Sequence, residues 1–298
     1  MKNNSIKNSI DDTVFEIFVY IVLGITLILV IYPLYFILIA SFSDPVGVNT
    51  GKAMFFLYNP SLEGYKRIIS DNRIWSGYLN TIIYTAVGTT INVVITMMIA
   101  YPLSRRSFSG RKAITLFLLV PMYFSGGMIP QYLLVKSLDL LDTRAIMVLL
   151  SAASVYNIIV ARSFLEANIP EDLYESASMD GCSQFRFFSA VVMPLSKAII
   201  AVLALFYGVS HWNEYMRALI YLKKESLYPL QLILSSILIE NQVSAAMVDD
   251  VLLMEEKNML KELIKYGVIV VASVPVLVAY PFLQKFFIKG VMLGSIKG

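Results

Sequence analysis

Long stretches of this chain carry no Asp, Glu, Lys or Arg. Such runs fall at 17–43, 74–104, 113–135, 145–161, 187–213 and 266–284, the fifth broken only by Lys197. A helix needs about 20 mostly apolar residues to cross the hydrocarbon core of a bilayer. Lipid offers no partners to free backbone N–H and C=O groups, so crossing segments must satisfy their own. The period-two alternation of barrel strands is absent. The pattern therefore predicts an all-α, polytopic helical bundle of six transmembrane helices near 14–43, 77–104, 113–136, 143–166, 187–213 and 264–286, in one domain over 1–298. The first run exceeds the roughly 7–15 residues of a signal-peptide core, and reads as a retained span. A seventh run at 226–239 is short for a span and is expected as a surface or re-entrant helix.

Composition agrees. Hydrophobic residues make up 57% and charged residues 15%, where a soluble domain has roughly 25% charged; mean hydropathy is +0.69. A net charge of +3 gives no clustered basic face for nucleic acid. The single cysteine, Cys182, and single histidine, His211, exclude an internal disulfide and paired metal motifs. No metal or cofactor site is expected in this chain. Lys197, near the end of the fifth span, reads as a snorkelling lysine.

Enzyme signatures are missing. The nearest to a phosphate loop is "GVNTGKA" at 47–53, one residue short between its glycines and with Ala53 where Ser or Thr should hold magnesium; it reads as a turn. If the protein uses ATP, another chain must hydrolyse it. A self-contained secondary transporter, the alternative reading, usually shows more carboxylates inside the membrane. An intramembrane enzyme would need a catalytic constellation that is not found.

The loops orient the chain. "SRRSFSGRK" at 104–112 holds Arg105, Arg106, Arg111 and Lys112 without an acid. Basic loops stay cytoplasmic, so both termini and the loop at 168–186 are expected inside, and 44–73 and 214–263 outside. Lys285, Lys289 and Lys297 near the C-terminus agree. The inner loop between spans four and five holds an excess of acid, with Glu166, Glu171, Asp172, Glu175 and Asp180 against Arg162 and Arg186. Acids weigh little on topology, so that excess needs another reason.

Two features suggest a path for a polar solute. Span three contains "VPMYFSGGMIPQY", whose Pro121, Gly126, Gly127 and Pro130 break regular hydrogen bonding. Such a break is either a bend beside a pathway or a kink at the outer membrane edge. Span five ends in "FYGVSHWNEY", where His211, Trp212, Asn213 and Tyr215 combine rings with polar ends. Such groups suit sugars, by stacking and by hydrogen bonds to hydroxyls, but an interfacial aromatic belt is the plainer reading. Tyr123, Tyr132, Tyr156 and Asn157 are candidates of the same kind.

The polar stretch "YESASMDGCSQFRFFSAVVMPL" at 174–195 interrupts this apolar chain. Pro170 presets the first turn of a helix, and Glu171 and Asp172 lie at the positive end of its dipole. Tyr174, Ala177 and Ser178 fall on one face, and Gly181 allows a turn before the next helix begins. The shape is a short amphipathic helix, a bend and a span, suited to docking in a groove of a partner. These residues resemble the EAA loop of ABC importer permeases, with the pattern E-A-A-x3-G-x9-I-x-L-P. Glu175, Ser176, Ala177, Gly181, Val191, Met193 and Pro194 keep its spacing, with Ser, Val and Met in place of Ala, Ile and Leu. Asp180 before the glycine is similar to the carbohydrate-uptake branch. "FSGGMIPQYLLVKSLDLLDT", "LYPLQLIL" and the ending "GVMLGSIKG" extend the likeness to the LplC-like oligosaccharide and polysaccharide branch over most of the chain.

The resemblance implies a type I importer permease fold and a carbohydrate cargo, commonly in Gram-positive bacteria. It implies a second related permease, two ATPase subunits that bind ATP and magnesium, and an extracellular sugar-binding lipoprotein. It also implies that Glu175, Ser176, Ala177, Asp180, Gly181 and Pro194 belong to the cytoplasmic coupling helix that sits on an ATPase.

Overall fold

The computed structural model describes residues 10–246, 264–278 and 281. These fall into two compact groups, one drawn from Met1–Ser70 with Leu238–Val271, the other from Asp71–Ile237 with Ala272–Gly298. Every regular element among the described residues is helical.

The first group begins with α1 (Ile10–Phe42), then α2 (Pro45–Asn49) and α3 (Glu63–Ser70). α1 is long and apolar enough to cross a bilayer. Its chain end is folded back by local bonds: Ser61 N–H donates to Phe42 O at 2.8 Å, the Tyr65 hydroxyl to Ser41 Oγ at 2.9 Å, and the Phe42 and Tyr65 rings stack 4.9 Å apart. The glycine-bearing stretch at 47–53 is the end of α2 followed by a turn, with Gly51 at φ 73°. An α-helix does not tolerate that angle, and glycine adopts it freely.

The second group is organised by α4 (Asn72–Ser104). Its 33 residues extend about 50 Å at 1.5 Å per residue. Its buried face runs Gly77, Thr81, Tyr84, Gly88, Asn92, Thr96 and Ala100, in steps of three to four. Small and polar residues at this spacing let neighbouring helices approach closely where lipid gives no hydrophobic drive between them. Around α4 follow α5 (Arg111–Tyr123), α6 (Met128–Ser137), α7 (Arg144–Leu149), α8 (Val155–Asn168), α9 (Glu171–Met179), α10 (Gln184–Phe187), α11 (Met193–Leu195), α12 (Lys197–Trp212), α13 (Met216–Tyr221) and α14 (Leu230–Ala246). A π-helical stretch, Phe188–Val192, joins α10 to α11. A last helix, Ile264–Val278, is α15; the rest of the sixth expected span and the three C-terminal lysines lie outside the described residues.

The helices differ from straight spans at three places. The third run is two helices, α5 and α6, bent by 114°. Gly127, at φ 82°, makes the corner. The fourth run is α7 and α8, separated by residues 150–154. The fifth bends by 80° between α11 and α12, just after Pro194, which has no N–H to continue the ladder. For the seventh run the structure removes the surface reading and leaves the re-entrant one. Its helix α14 forms, but Leu230, Leu232, Ile233, Leu234 and Ile237 are buried, so it is not a surface helix. Gly77 makes room for it: a Cβ there would come 3.0 Å from Leu230 Cα. Lys197 is exposed, as a snorkelling lysine requires.

The two ends of α4 hold different loops. At its start, Asn80 donates to Ser226 O and Tyr228 O at 2.8 and 3.1 Å, and Thr81 Oγ1 accepts from Leu230 N–H at 2.8 Å. Near them Asp142, at φ 59°, accepts from the N–H groups of Lys224 and Lys223 at 2.9 and 3.0 Å. Those two bonds hold its carboxyl below the usual carboxylate range. At the end of α4, Arg105 pairs with Glu171 at 2.8 Å, while Arg111 and Arg162 reach Glu166 at 2.6 and 3.0 Å.

Candidate functional site

The polar stretch at 174–195 folds as its pattern predicts in its first half. α9 starts after Pro170, which is extended at φ −60°, ψ 148°. It ends at Asp180, and Gly181 takes φ 75°. Gly181 N–H donates to Ser178 O at 3.0 Å and Cys182 N–H to Ala177 O at 2.9 Å, satisfying the last carbonyls. Ser183 Oγ then accepts from Arg186 N–H at 3.4 Å as α10 begins.

The two faces of α9 differ. Tyr174 and Ala177 pack on a core that includes Tyr101, Phe187 and Val192. Ser178, expected on the same face, is exposed instead. Ala177 thus seats the helix on its own chain and is not part of the outer surface. That surface shows Asp172, Leu173, Glu175, Ser176, Met179 and Asp180, with Phe185 beyond the bend. Met179 is 83% and Phe185 76% exposed, so two large apolar side chains stand beside the exposed carboxylates. The Ser176 hydroxyl donates to Asp172 O at 2.8 Å, so its substitution for alanine leaves the helix unbroken.

The acid excess divides in two. Glu166 and Glu171 are paired inside the chain by Arg111, Arg162 and Arg105. Asp172, Glu175 and Asp180 remain on the exposed face.

The second region lies beside the middle of α4. α12 ends at Trp212, and Asn213 caps it with bonds to Val209 O and His211 O. His211 is buried against Gly88, the midpoint of α4; a Cβ at Gly88 would collide with the imidazole. Three residues after His211, Glu214 Oε1 accepts from Arg217 N–H at 3.0 Å, starting α13. The two side chains pair at 2.7 Å, only 14% and 16% exposed. Arg217 also donates to Met147 O at 3.0 Å and Ser151 Oγ at 2.9 Å. Asn92 Nδ2 donates to Ser151 O. One turn further, Thr96 Oγ1 and the Tyr207 hydroxyl are 2.7 Å apart, and Ser154 N–H donates to Tyr207 at 3.2 Å. Thus α4, the link from α7 to α8, α12 and α13 meet in one polar node.

Thr85 Oγ1, Thr89 Oγ1, Asn92 Oδ1 and His211 Nε2 are buried there without a hydrogen-bond partner among the described residues. Beside them opens a cavity of about 540 Å³, lined by Thr85, Thr89, Gly208 and Trp212 among apolar side chains. The Trp212 indole is oriented by a bond to Ala272 O at 3.1 Å.

The structure sorts the solute candidates. His211 and Trp212 belong to this node, and Asn213 is a helix cap. Tyr132 and Tyr215 pack on a neighbouring cluster around Tyr84 and Tyr221, with Tyr132 stacked on Tyr221 at 6.0 Å. Asn157 is buried at the start of α8, where its N–H reaches Ser154 Oγ. Tyr123 and Tyr156 are 79% and 60% exposed and join neither group. Sequence reasoning missed Asn92 and Ser151, which are single polar residues within apolar runs, and Glu214 and Arg217, which lie just past the end of the fifth run. The available signal was an acid and a base three apart directly after an apolar run.

A helical chain with membrane-length helices, broken spans beside a central polar node and an exposed acidic helix after a proline has the form of a transport permease. Comparison with known proteins narrows this. No family model matches. The permease YtcP of a polygalacturonan/rhamnogalacturonan transport system in Bacillus subtilis strain 168 is 39% identical over 285 residues, covering 95% of this chain and 98% of that one. LplC of the same organism is 36% identical over 295 residues, covering 99% of each. A crystal structure of a bacterial ABC transporter involved in import of the acidic polysaccharide alginate superposes with a TM-score of 0.83 at 28% identity, over 94% of this chain and 99% of that one. The chain belongs to the membrane-spanning permease subunits of carbohydrate ABC importers. A self-contained secondary transporter is set aside by that membership.

Proposed function

We propose that this permease carries an oligosaccharide or polysaccharide fragment inward through the cytoplasmic membrane, handed to it by an extracellular binding lipoprotein. A second related permease completes the path. Two ATPase subunits hold ATP and magnesium and drive the cycle, and this chain needs no cofactor of its own. The relatives in Bacillus favour a Gram-positive host.

The observation that carries this reading is the two-faced α9. Its inner face, Tyr174 and Ala177, is built into the chain, while Glu175, Met179 and Asp180 stand free. Glu175, Ser176, Asp180 and Gly181 form or shape the surface offered to the ATPase, and Pro194 passes its position to the bend above α11. The topology has independent support. Ion pairs join the basic loop at 104–112 to Glu166 and Glu171, so both loops lie at one end of their group. The chain between them would then cross an even number of times, in keeping with two loops on one side.

The polar node is the part of this chain that would border the sugar path. Trp212 offers a ring face on which a sugar could stack. His211 and the Glu214–Arg217 pair hold the wall in shape, and Tyr132, Asn157, Asn213 and Tyr215 are placed as supports.

Expression of a tagged chain with its second permease and ATPase tests the reading. Both partners should co-purify, and growth on a panel of pectic and other oligosaccharides should depend on the complex. A complex without an ATPase sinks the proposal. Glu175→Ala should leave the permease folded while uptake falls at least tenfold.

A further inference from the structure

In the sequence Arg105 is one of four basic residues in the loop at 104–112. Its place in the fold is different. It directly follows α4, and its side chain is only 8% exposed. Its guanidinium donates to Glu171 Oε1 at 2.8 Å. The same group lies 3.7 Å from the centre of the Tyr174 ring. Glu171 and Tyr174 are three apart, so they share one face of α9, and one cation grips both.

A ring of contacts closes around this grip. The Tyr174 hydroxyl accepts from Gln184 Nε2, and Gln184 Oε1 accepts from the Tyr101 hydroxyl at 3.1 Å. Tyr174 also meets Phe187 edge-on at 5.4 Å, and Phe187 is fully buried. Tyr101 and Arg105 both belong to the end of α4. That end thus holds α9 on one side of the bend and α10 on the other. Apart from these contacts and the packing of Ala177, α9 lies between an extended Pro170 and a left-handed Gly181, and no residue of it is fully buried.

We propose that Arg105 is the positioning residue that makes α9 and the end of α4 one rigid body. Force applied to α9 then moves the long helix lining the polar node, and is not lost in rocking about Pro170 and Gly181. Arginine suits this task better than lysine. Its planar fork bonds a carboxylate while its face lies on an aromatic ring. A buried, paired cation is also held more firmly than a surface one. The inference rests on the reading that α9 receives the ATPase stroke.

The test uses the complete importer in lipid nanodiscs and proteoliposomes. Spin labels are placed at Ser107→Cys and Ser178→Cys, both exposed, in a Cys182→Ser background. With Arg105 present, the label distance should be the same in resting and ATP-trapped complexes. In Arg105→Met it should broaden and shift between the states, and uptake per ATP hydrolysed should fall about tenfold while the ATPase still co-purifies. Arg105→Lys should recover part of this, and Tyr174→Phe most of it, since the ring face remains. Glu171→Gln combined with Arg105→Met should be no worse than Arg105→Met alone. A distance that already changes with Arg105 in place overturns the proposal. So does normal uptake per ATP in Arg105→Met, or a loss explained wholly by reduced thermal stability. If the ATPase fails to bind even the unaltered chain, the docking reading has failed and not the latch.

Discussion

Gly88 and His211 touch at the middle of α4, where the absent side chain of one makes the space filled by the ring of the other. The glycine is not there for backbone freedom, since it sits within a regular helix. It is there because α12 must end close to α4 for Trp212 and the turn to Glu214 to reach the polar node.

Gly88→Ala should therefore disturb assembly of the two helices. Overpacking of a tight contact costs about 1–3 kcal/mol. The expected outcome is a lower thermal unfolding midpoint for the purified permease, with a further drop in Gly88→Val. Adding His211→Ala to Gly88→Ala should restore most of the loss, because the imidazole is what the methyl meets. No recovery in the double variant would show that the contact is not the cause.

Much of this architecture is legible in the sequence. Charge-free runs mark the helices, and Pro170, Glu171 and Gly181 mark the ends of α9. The buried face of α4 is not legible as such. Gly88, Asn92, Thr96 and Ala100 look like a weak region of an apolar helix, whereas they are its packing surface. Hydropathy measures preference for lipid, and close helix contacts select small size. Arg105 was legible only as a charge. Counting charges locates a loop, but nothing local shows that the partner is Glu171, 66 residues on. The Glu214–Arg217 pair was legible only as two charges for a related reason. Charges end a span on a hydropathy scale even when they neutralise each other inside the fold.

That pair allows a direct measurement. Both side chains are mostly buried, and Arg217 also serves Met147 O and Ser151 Oγ. Removing one member leaves the other charge without its partner, at a cost of about 3–5 kcal/mol. Glu214→Gln and Arg217→Met should each strongly destabilise the permease. The double variant should be less unstable than the sum of the two, by about 0.5–3 kcal/mol. A thermal-unfolding cycle in detergent reads this, and strict additivity would mean the two charges do not depend on each other.

Asp142 predicts a pH effect at the other end of α4. Its carboxyl is held below the usual range by the N–H groups of Lys224 and Lys223. A carboxylate with a lowered folded value stabilises the fold above its unfolded value, near 3.9, and this contribution fades as pH falls through the folded value. Hydrogen exchange at residues 223 and 224, corrected for intrinsic rates, should therefore stay slow near neutrality and quicken in acid. Asp142→Asn tolerates the left-handed backbone and cannot ionise, so its exchange should lose this pH dependence. Equal acid sensitivity in both proteins would assign the effect to another group.

Gly181 separates backbone conformation from contact. At φ 75° it has no heavy atom within 4 Å of where a Cβ would stand, so a substitution meets strain and no collision. The left-handed conformation costs roughly 1–2 kcal/mol for an ordinary residue, less for Asn and more for a β-branched side chain. Uptake driven by the complete importer should then fall in the order Gly, Asn, Ala, Val at position 181. The fall should track how often the turn after α9 is formed, read from protection of the Cys182 amide that bonds Ala177 O. If Asn and Val were equally harmful, the partner surface would be sensing the side chain itself. Gly181 would then be a contact residue and not a hinge.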